Sequence, residues 1–171
     1  MKFLFVESTD HNHWNGRIAR EEKGISGKHT SIMYLAEGLV KENNDVRIVS
    51  MKNNIIECEY LGVVYINYSN LFSDSYDYII TTNNLIDLEI LNRTIEYKKI
   101  IIVTNNDLIN FNRLFDISKD RILISFISEF AKENILISQP FLKEYNSIIL
   151  HNSIDVNDIQ DIKEKENRFI W

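Results

Sequence analysis

The sequence predicts an α/β fold, a Rossmann-like, doubly wound and mainly parallel sheet of about seven strands with helices on both faces. Three observations predict it. Seven short apolar runs recur along the 171 residues. Most are continuously apolar and β-branched rather than alternating, which suits strands covered on both faces. Helical patterns separate several of them, and strands alternating with helices imply βαβ units.

The first run is "KFLFV" (residues 2–6), followed by a long polar loop, residues 7–27. A helix starts at about Lys28. Its apolar residues Ile32, Leu35, Ala36, Leu39 and Val40 make one stripe at helical spacing. Asn43-Asn44 supplies a stop. Three strands follow, "VRIVS" (46–50), "GVVYI" (62–66) and "YDYIIT" (76–81). "NLIDLEILNRTI" (84–95) reads as a second helix on Leu85, Leu88 and Ile95, and leads to the strand "KIIIVT" (99–104). "NDLINFNRLF" (106–115) reads as a short third helix before the strand "RILISF" (121–126). In "SEFAKENILIS" (128–138), Ser128 is placed to cap a fourth helix, with Glu129 in its first turn, where the dipole favours an acid. The last strand is "SIILH" (147–151).

Composition narrows the function classes. Hydrophobic content of 44% and charged content of 26% are ordinary for a globular domain with a real core. No apolar run approaches the roughly 20 residues of a membrane helix, and the N-terminus lacks a signal-peptide cleavage pattern. The net charge of −6 offers no general attraction to nucleic acid or anionic lipid. The single cysteine, Cys58, makes no internal disulfide, which fits a reducing, cytoplasmic compartment.

Named phosphate motifs fail. In "GISGKHT" (24–30) only two residues separate Gly24 and Gly27, and His29 follows Lys28 where a Walker loop needs Ser or Thr. What survives is a Ser26-Gly27 turn opening a helix. Such a turn is a plain cap or an anion site built from free N–H groups and the dipole.

Ligands of doubly wound sheets sit outside the carboxyl ends of the strands. The loop over residues 7–27 holds His11, His13, Trp14, Arg17 and Arg20. A polar ligand can use the Trp14 ring face and the guanidinium groups; a mobile surface lid is the plainer reading. His11-x-His13 without a further Cys or His nearby does not make a closed metal site, so no metal is expected. After the fifth run, Asp107 in "TNND" (104–107) is a base or a substrate hydrogen-bond acceptor, or equally a helix cap. "HNSID" (151–155) suits a turn with Asp155 as a cap.

Three stretches resemble the N-terminal, acceptor-side half of a GT-B fold glycosyltransferase, specifically the retaining enzymes of family 4. "SGKHTSIMYLAEGLVKENNDVRIVS" is similar to that family's Gly-Gly turn, its helix ending Leu-Ala-x-x-Leu, and its step into the second strand; Ser26-Gly27 takes the place of the glycine pair. "ILISFISEFAKENI" resembles its strand followed by Ser-Glu-x-x-Lys-like residues, and "IILHNSID" its closing Asn-Gly-Ile-Asp with Ser153 replacing the glycine. "ENRFIW" resembles the lead into a second domain. The resemblance therefore implies a domain over residues 1–166, with 167–171 opening a C-terminal donor domain.

It also implies a nucleotide-sugar donor, a sugar or glycan acceptor, and no cofactor or metal. Ser26, Gly27, Lys28 and His29 lie near the donor diphosphate on this resemblance. His11, Trp14, Arg17, Asn106 and Asp107 are the expected acceptor contacts. The chain departs from the family where Asn106 stands in the place of a catalytic-type His, and Asn accepts no proton at neutral pH. With the donor half outside this chain, the expectation is a domain inactive by itself. The alternative is a non-catalytic Rossmann-like binding or scaffold module. A phospho-acceptor receiver domain is disfavoured, because Asn67 and Thr104-Asn105 do not supply its Asp and Lys.

Overall fold

The computed structural model of the chain describes residues 1–7, 14–21, 27–71, 74–82, 86–104 and 117–151. Strand β1 (Lys2–Glu7) is followed by α1 (Gly16–Glu21), α2 (Gly27–Lys41), β2 (Asp45–Ser50), β3 (Cys58–Tyr60) and β4 (Val63–Asn67). Then come β5 (Ser75–Thr82), α3 (Ile86–Thr94), β6 (Glu96–Thr104), β7 (Ile122–Phe126), α4 (Glu129–Ser138) and β8 (Asn146–Ile149). The strands form one sheet in the order β3-β4-β2-β1-β5-β6-β7-β8. Every neighbouring pair is parallel except β3 with β4.

The order reverses beside β1, as the βαβ alternation predicts. The chain first moves from β1 toward β2 and β4, then resumes at β5 on the other side. Right-handed crossovers in opposite directions put their helices on opposite faces. Ile32 and Ala36 of α2 accordingly pack with Phe3, Phe5 and Ile48 in one apolar cluster. Leu88 and Leu91 of α3 and Ile135 of α4 pack with Leu4, Ile79 and Ile100 in the other.

Both helix-end signals form as the sequence predicts. Ser128 Oγ accepts the Ala131 N–H at 3.1 Å and caps α4. Asn43 turns left-handed at φ 58°, its N–H donates to Val40 O, and the Asn44 N–H reaches back to Leu39 O. That closes α2 with a Schellman-type pattern. The predicted helix over 106–115 lies outside the described residues.

Two expectations need correction. Among the described residues the sheet has eight strands, one more than the seven apolar runs, because β3 adds an edge hairpin onto β4. Its two-residue turn, Leu61-Gly62, has φ of 50° and 78°. Positive φ at both positions is the I′ geometry that matches strand twist, usually signalled by Asn-Gly. A Cβ on Gly62 would stand 2.6 Å from Val40 Cγ1. Gly62→Ala is therefore expected to destabilise the domain by about 1–2 kcal/mol, the usual left-handed penalty, or more with the crowding. Urea unfolding measures it, and a neutral result would contradict the assigned turn.

The second correction concerns the long polar loop, whose described part, residues 14–21, has structure of its own. Trp14 bridges to Ile55 in parallel, the Ile56 N–H donates to Trp14 O at 3.0 Å, and α1 follows directly. An isolated Trp and Ile far apart in sequence carry no periodic signal, so only their pairing exposes the element.

Candidate functional site

The strand registers build the site. Asn67 pairs with Ser50, and Ser50 with Glu7. Val6 pairs with Thr81, which sets Glu7 beside Thr82 one step on. Thr82 pairs with Val103, and Val103 with Ser125. Paired residues point to the same side of a sheet. Asn67, Ser50, Glu7, Thr82 and Ser125 thus form one transverse row on the α2 face, interrupted by Val103, near the carboxyl ends. Two residues earlier the corresponding row is Tyr65, Ile48, Phe5, Ile80, Ile101 and Leu123. The face changes from apolar to polar in a single two-residue step.

This polar row is buried: Ser50, Glu7, Thr82 and Ser125 are each at most 5% exposed. Buried hydroxyls are normally hydrogen-bonded, and those that are not call for a physical explanation. Ser50 Oγ bonds Asn54 Oδ1 and accepts the Lys52 N–H. Thr104 Oγ1, one residue beyond Val103, donates to Ser125 O at 3.1 Å. Among the described residues, nothing partners Thr82 Oγ1 or Ser125 Oγ. The row gathers a carboxylate and several hydroxyls near the carboxyl ends of the strands, buried as closely as Trp14 and His29 and with two hydroxyls left unpartnered.

Helix α2 opens at Gly27, at the end of the β1 to α2 crossover. Its first N–H groups have no partner within the helix. Among the sequence-predicted site residues, Gly27, Lys28 and His29 lie in this first turn. The His29 ring is fully buried and meets Trp14 edge to face, with centroids 4.5 Å apart. Its imidazole therefore belongs to the interior packing rather than to an open anion site.

Trp14 is 2% exposed and also stands edge-on to Tyr65. The ring face offered to a ligand in the sequence reading is packed inside, because Trp14 belongs to the apolar cluster of Phe5, Ile48, Ile55 and Tyr65. Arg17 is exposed and lies over the Tyr60 ring at 5.8 Å. The structure thus brings Trp14 and His29 together and directs Arg17 toward the β3 hairpin. His11, Ser26, Asn106 and Asp107 lie outside the described residues.

Helix α1 is held by contacts at both ends. Asn15 Oδ1 accepts the Ile18 N–H at 3.0 Å, while Asn15 Nδ2 donates to Ile56 O. At the other end Arg20 grips the buried Glu37 of α2, with Nη2 2.5 Å from Oε2. The close fit continues at Gly16, where a Cβ would run into the Tyr65 hydroxyl and the Tyr60 ring. Burial pushes the Tyr65 phenol well above its ordinary pKa, so it stays neutral.

At the opposite end of the sheet, two open grooves of about 700 and 460 Å³ share Ser75 and Glu96. Both aspartates that line them are paired with cations of the protein. Lys2 and Arg47 meet Asp74 at 2.9 and 2.7 Å, and Lys98 meets Asp77 at 2.5 Å. The Lys2 hydrogen bond holds the Asp74 carboxyl below its usual range. These pairs tie strand ends together, so the carboxyl-end row is the stronger candidate.

Glu7, Ser50, Thr82 and Ser125 were not singled out from the sequence. Each is a polar residue at or near the end of an apolar run, a signal readable one strand at a time. No family model, no characterised protein and no solved structure matches this chain.

Proposed function

We propose that this chain is the acceptor-side domain of a GT-B, family 4-like glycosyltransferase that moves a sugar from a nucleotide sugar to a sugar or glycan acceptor. The observation that carries the proposal is the buried polar row beside the reversal of strand order, on the face where α2 begins. Hydroxyls and a carboxylate suit the many hydroxyl groups of a sugar. The first turn of α2 suits the developing negative charge of a leaving diphosphate, stabilised by N–H groups and the helix dipole. No cofactor takes part in this reading, and the nucleotide sugar is a substrate.

Transition-state stabilisation needs groups from both sides of the cleft. The 171-residue chain is therefore expected to release no nucleoside diphosphate from a panel of nucleotide sugars and acceptors. It is expected to bind an acceptor sugar weakly, shifting the amide resonances of Glu7, Ser50, Thr82 and Gly27 in heteronuclear NMR titrations. Robust turnover by the chain alone would refute the half-enzyme reading. Sugar-induced shifts elsewhere, or none across the panel, would refute the site.

The second reading, a non-catalytic Rossmann-like binding module, is favoured by the burial of Trp14 and His29. Two side chains expected at the ligand are committed to the core.

A further inference from the structure

The sequence contains one Asn-Gly pair, Asn15-Gly16, and packing accounts for both residues. Asn15 is 6% exposed and uses its side-chain amide in both directions. Oδ1 accepts the Ile18 N–H at 3.0 Å, and Nδ2 donates to Ile56 O at 3.2 Å. A side-chain amide supplies that acceptor and that donor together. Gly16 has no room for a Cβ, which would collide with the Tyr65 hydroxyl and the Tyr60 ring. The fold thus sets next to each other two residues whose combination is chemically labile.

No Cβ shields the Gly16 nitrogen from the side chain before it. Once this nitrogen gives up its proton it can attack Asn15 Cγ. A new N–Cγ bond closes a five-membered succinimide, the Cγ–Nδ2 bond breaks, and the nitrogen leaves as ammonia, taking up a proton. Water, the one co-reactant, then opens the ring at either carbonyl to give aspartate or isoaspartate, with no oxidation or reduction. The attack needs the amide to swing over the Gly16 nitrogen, and both steps need solvent. In the docked state Ile18 and Ile56 hold the amide at its two ends. Asn15 O also accepts the Ala19 N–H at 2.9 Å, which fixes the backbone in its helical turn.

We propose that Asn15 is a hydrolytic modification site, closed while α1 is docked, converted when residues 14–21 open, and after conversion unable to let α1 dock again. Local opening of a short segment is far less costly than global unfolding. Either product loses the Nδ2 donor. Aspartate sets a carboxylate oxygen against Ile56 O in a buried position, which is strongly unfavourable. Isoaspartate adds one carbon to the backbone between Trp14, whose O accepts the Ile56 N–H at 3.0 Å, and Gly16, which has no space to shift against Tyr65. The change runs one way, because hydrolysis does not restore the amide. Loss of docking also frees Arg20 from Glu37 of α2.

Ageing the full chain in mildly alkaline buffer, folded or in guanidinium, tests this. In guanidinium the tryptic peptide ending at Arg17 is expected to gain the mass difference between –OH and –NH2. In the folded chain the gain should be at least about tenfold slower, because only the open fraction reacts. That peptide also contains Asn12, so Asn15→Gln, whose ring closure would be six-membered and slow, is the control and is expected to gain no mass. Brief trypsin treatment of the folded protein then reads the docking of α1 through cleavage after Arg17 and Arg20, since proteolysis follows the open population. Asn15→Asp should be cut there several-fold faster than wild type. If Asn15→Asp fails to fold, aged wild type gives the same measurement, with the first fragments cut enriched in converted Asn15. Equal rates in folded and denatured chain, no conversion in guanidinium, a mass gain that persists in Asn15→Gln, or converted chains cut no faster than unconverted ones would each overturn the proposal.

Discussion

Replacing Trp14 by alanine is expected to destabilise the domain by about 3–5 kcal/mol, the range for emptying a buried large aromatic site. The indole is 2% exposed and sits edge-on to both His29 and Tyr65. Its backbone joins the segment to residues 55–56. Removing the ring leaves a cavity between α1, α2 and the sheet that rigid strands cannot fill. Domains of this size hold only about 5–15 kcal/mol in all, so the variant is expected to unfold at much lower urea. A surface ligand-binding tryptophan would behave otherwise, since exposed substitutions usually stay within about 0.5 kcal/mol. Urea titration followed by circular dichroism separates the two. A midpoint close to wild type would contradict the buried position of Trp14.

Arg20→Met is expected to have an effect of similar size by a different mechanism. Arg20 addresses Glu37 with Nε and Nη2, and the Glu37 side chain is only 6% exposed. Methionine preserves most of the aliphatic volume but leaves a buried carboxylate without that cation. Breaking such a pair from one side typically costs about 3–5 kcal/mol, whereas replacing both partners by apolar residues is often close to neutral. The double variant Arg20→Met/Glu37→Leu should therefore recover most of the loss. Thermal denaturation of the single and double variants gives the coupling directly. If the double variant is as unstable as Arg20→Met alone, the loss comes from packing around Arg20, including its stacking on Tyr34 at 5.0 Å, and not from a stranded charge.

Local features of this chain were legible because neighbours in sequence create them. The stripe from Ile32 to Val40 sets the buried face of α2, and the Asn43-Asn44 stop and Ser128 cap use hydrogen bonds a few residues long. The continuous apolar runs mark seven of the eight strands and their coverage on both faces. β3 escaped because three residues, Cys58-Glu59-Tyr60, carry no pattern until β4 lies beside them. Leu61 also hid the hairpin, since a leucine at positive φ is not a turn signal.

By itself, the sequence determined the fold class, the order of most elements, and where α2 begins and ends. These follow from backbone hydrogen bonding and from hydrophobic periodicity, whose range is one helical turn or one strand. Only the tertiary structure decided that Trp14 and His29 belong to the core, and that Glu7, Ser50, Thr82 and Ser125 share a row. Those four residues lie on four strands far apart in the chain. Register between strands sets their alignment, and register is fixed by packing of both sheet faces at once. A polar residue ending one apolar run is an ordinary strand terminus. Several such residues aligned across a sheet and buried above its core form a candidate site.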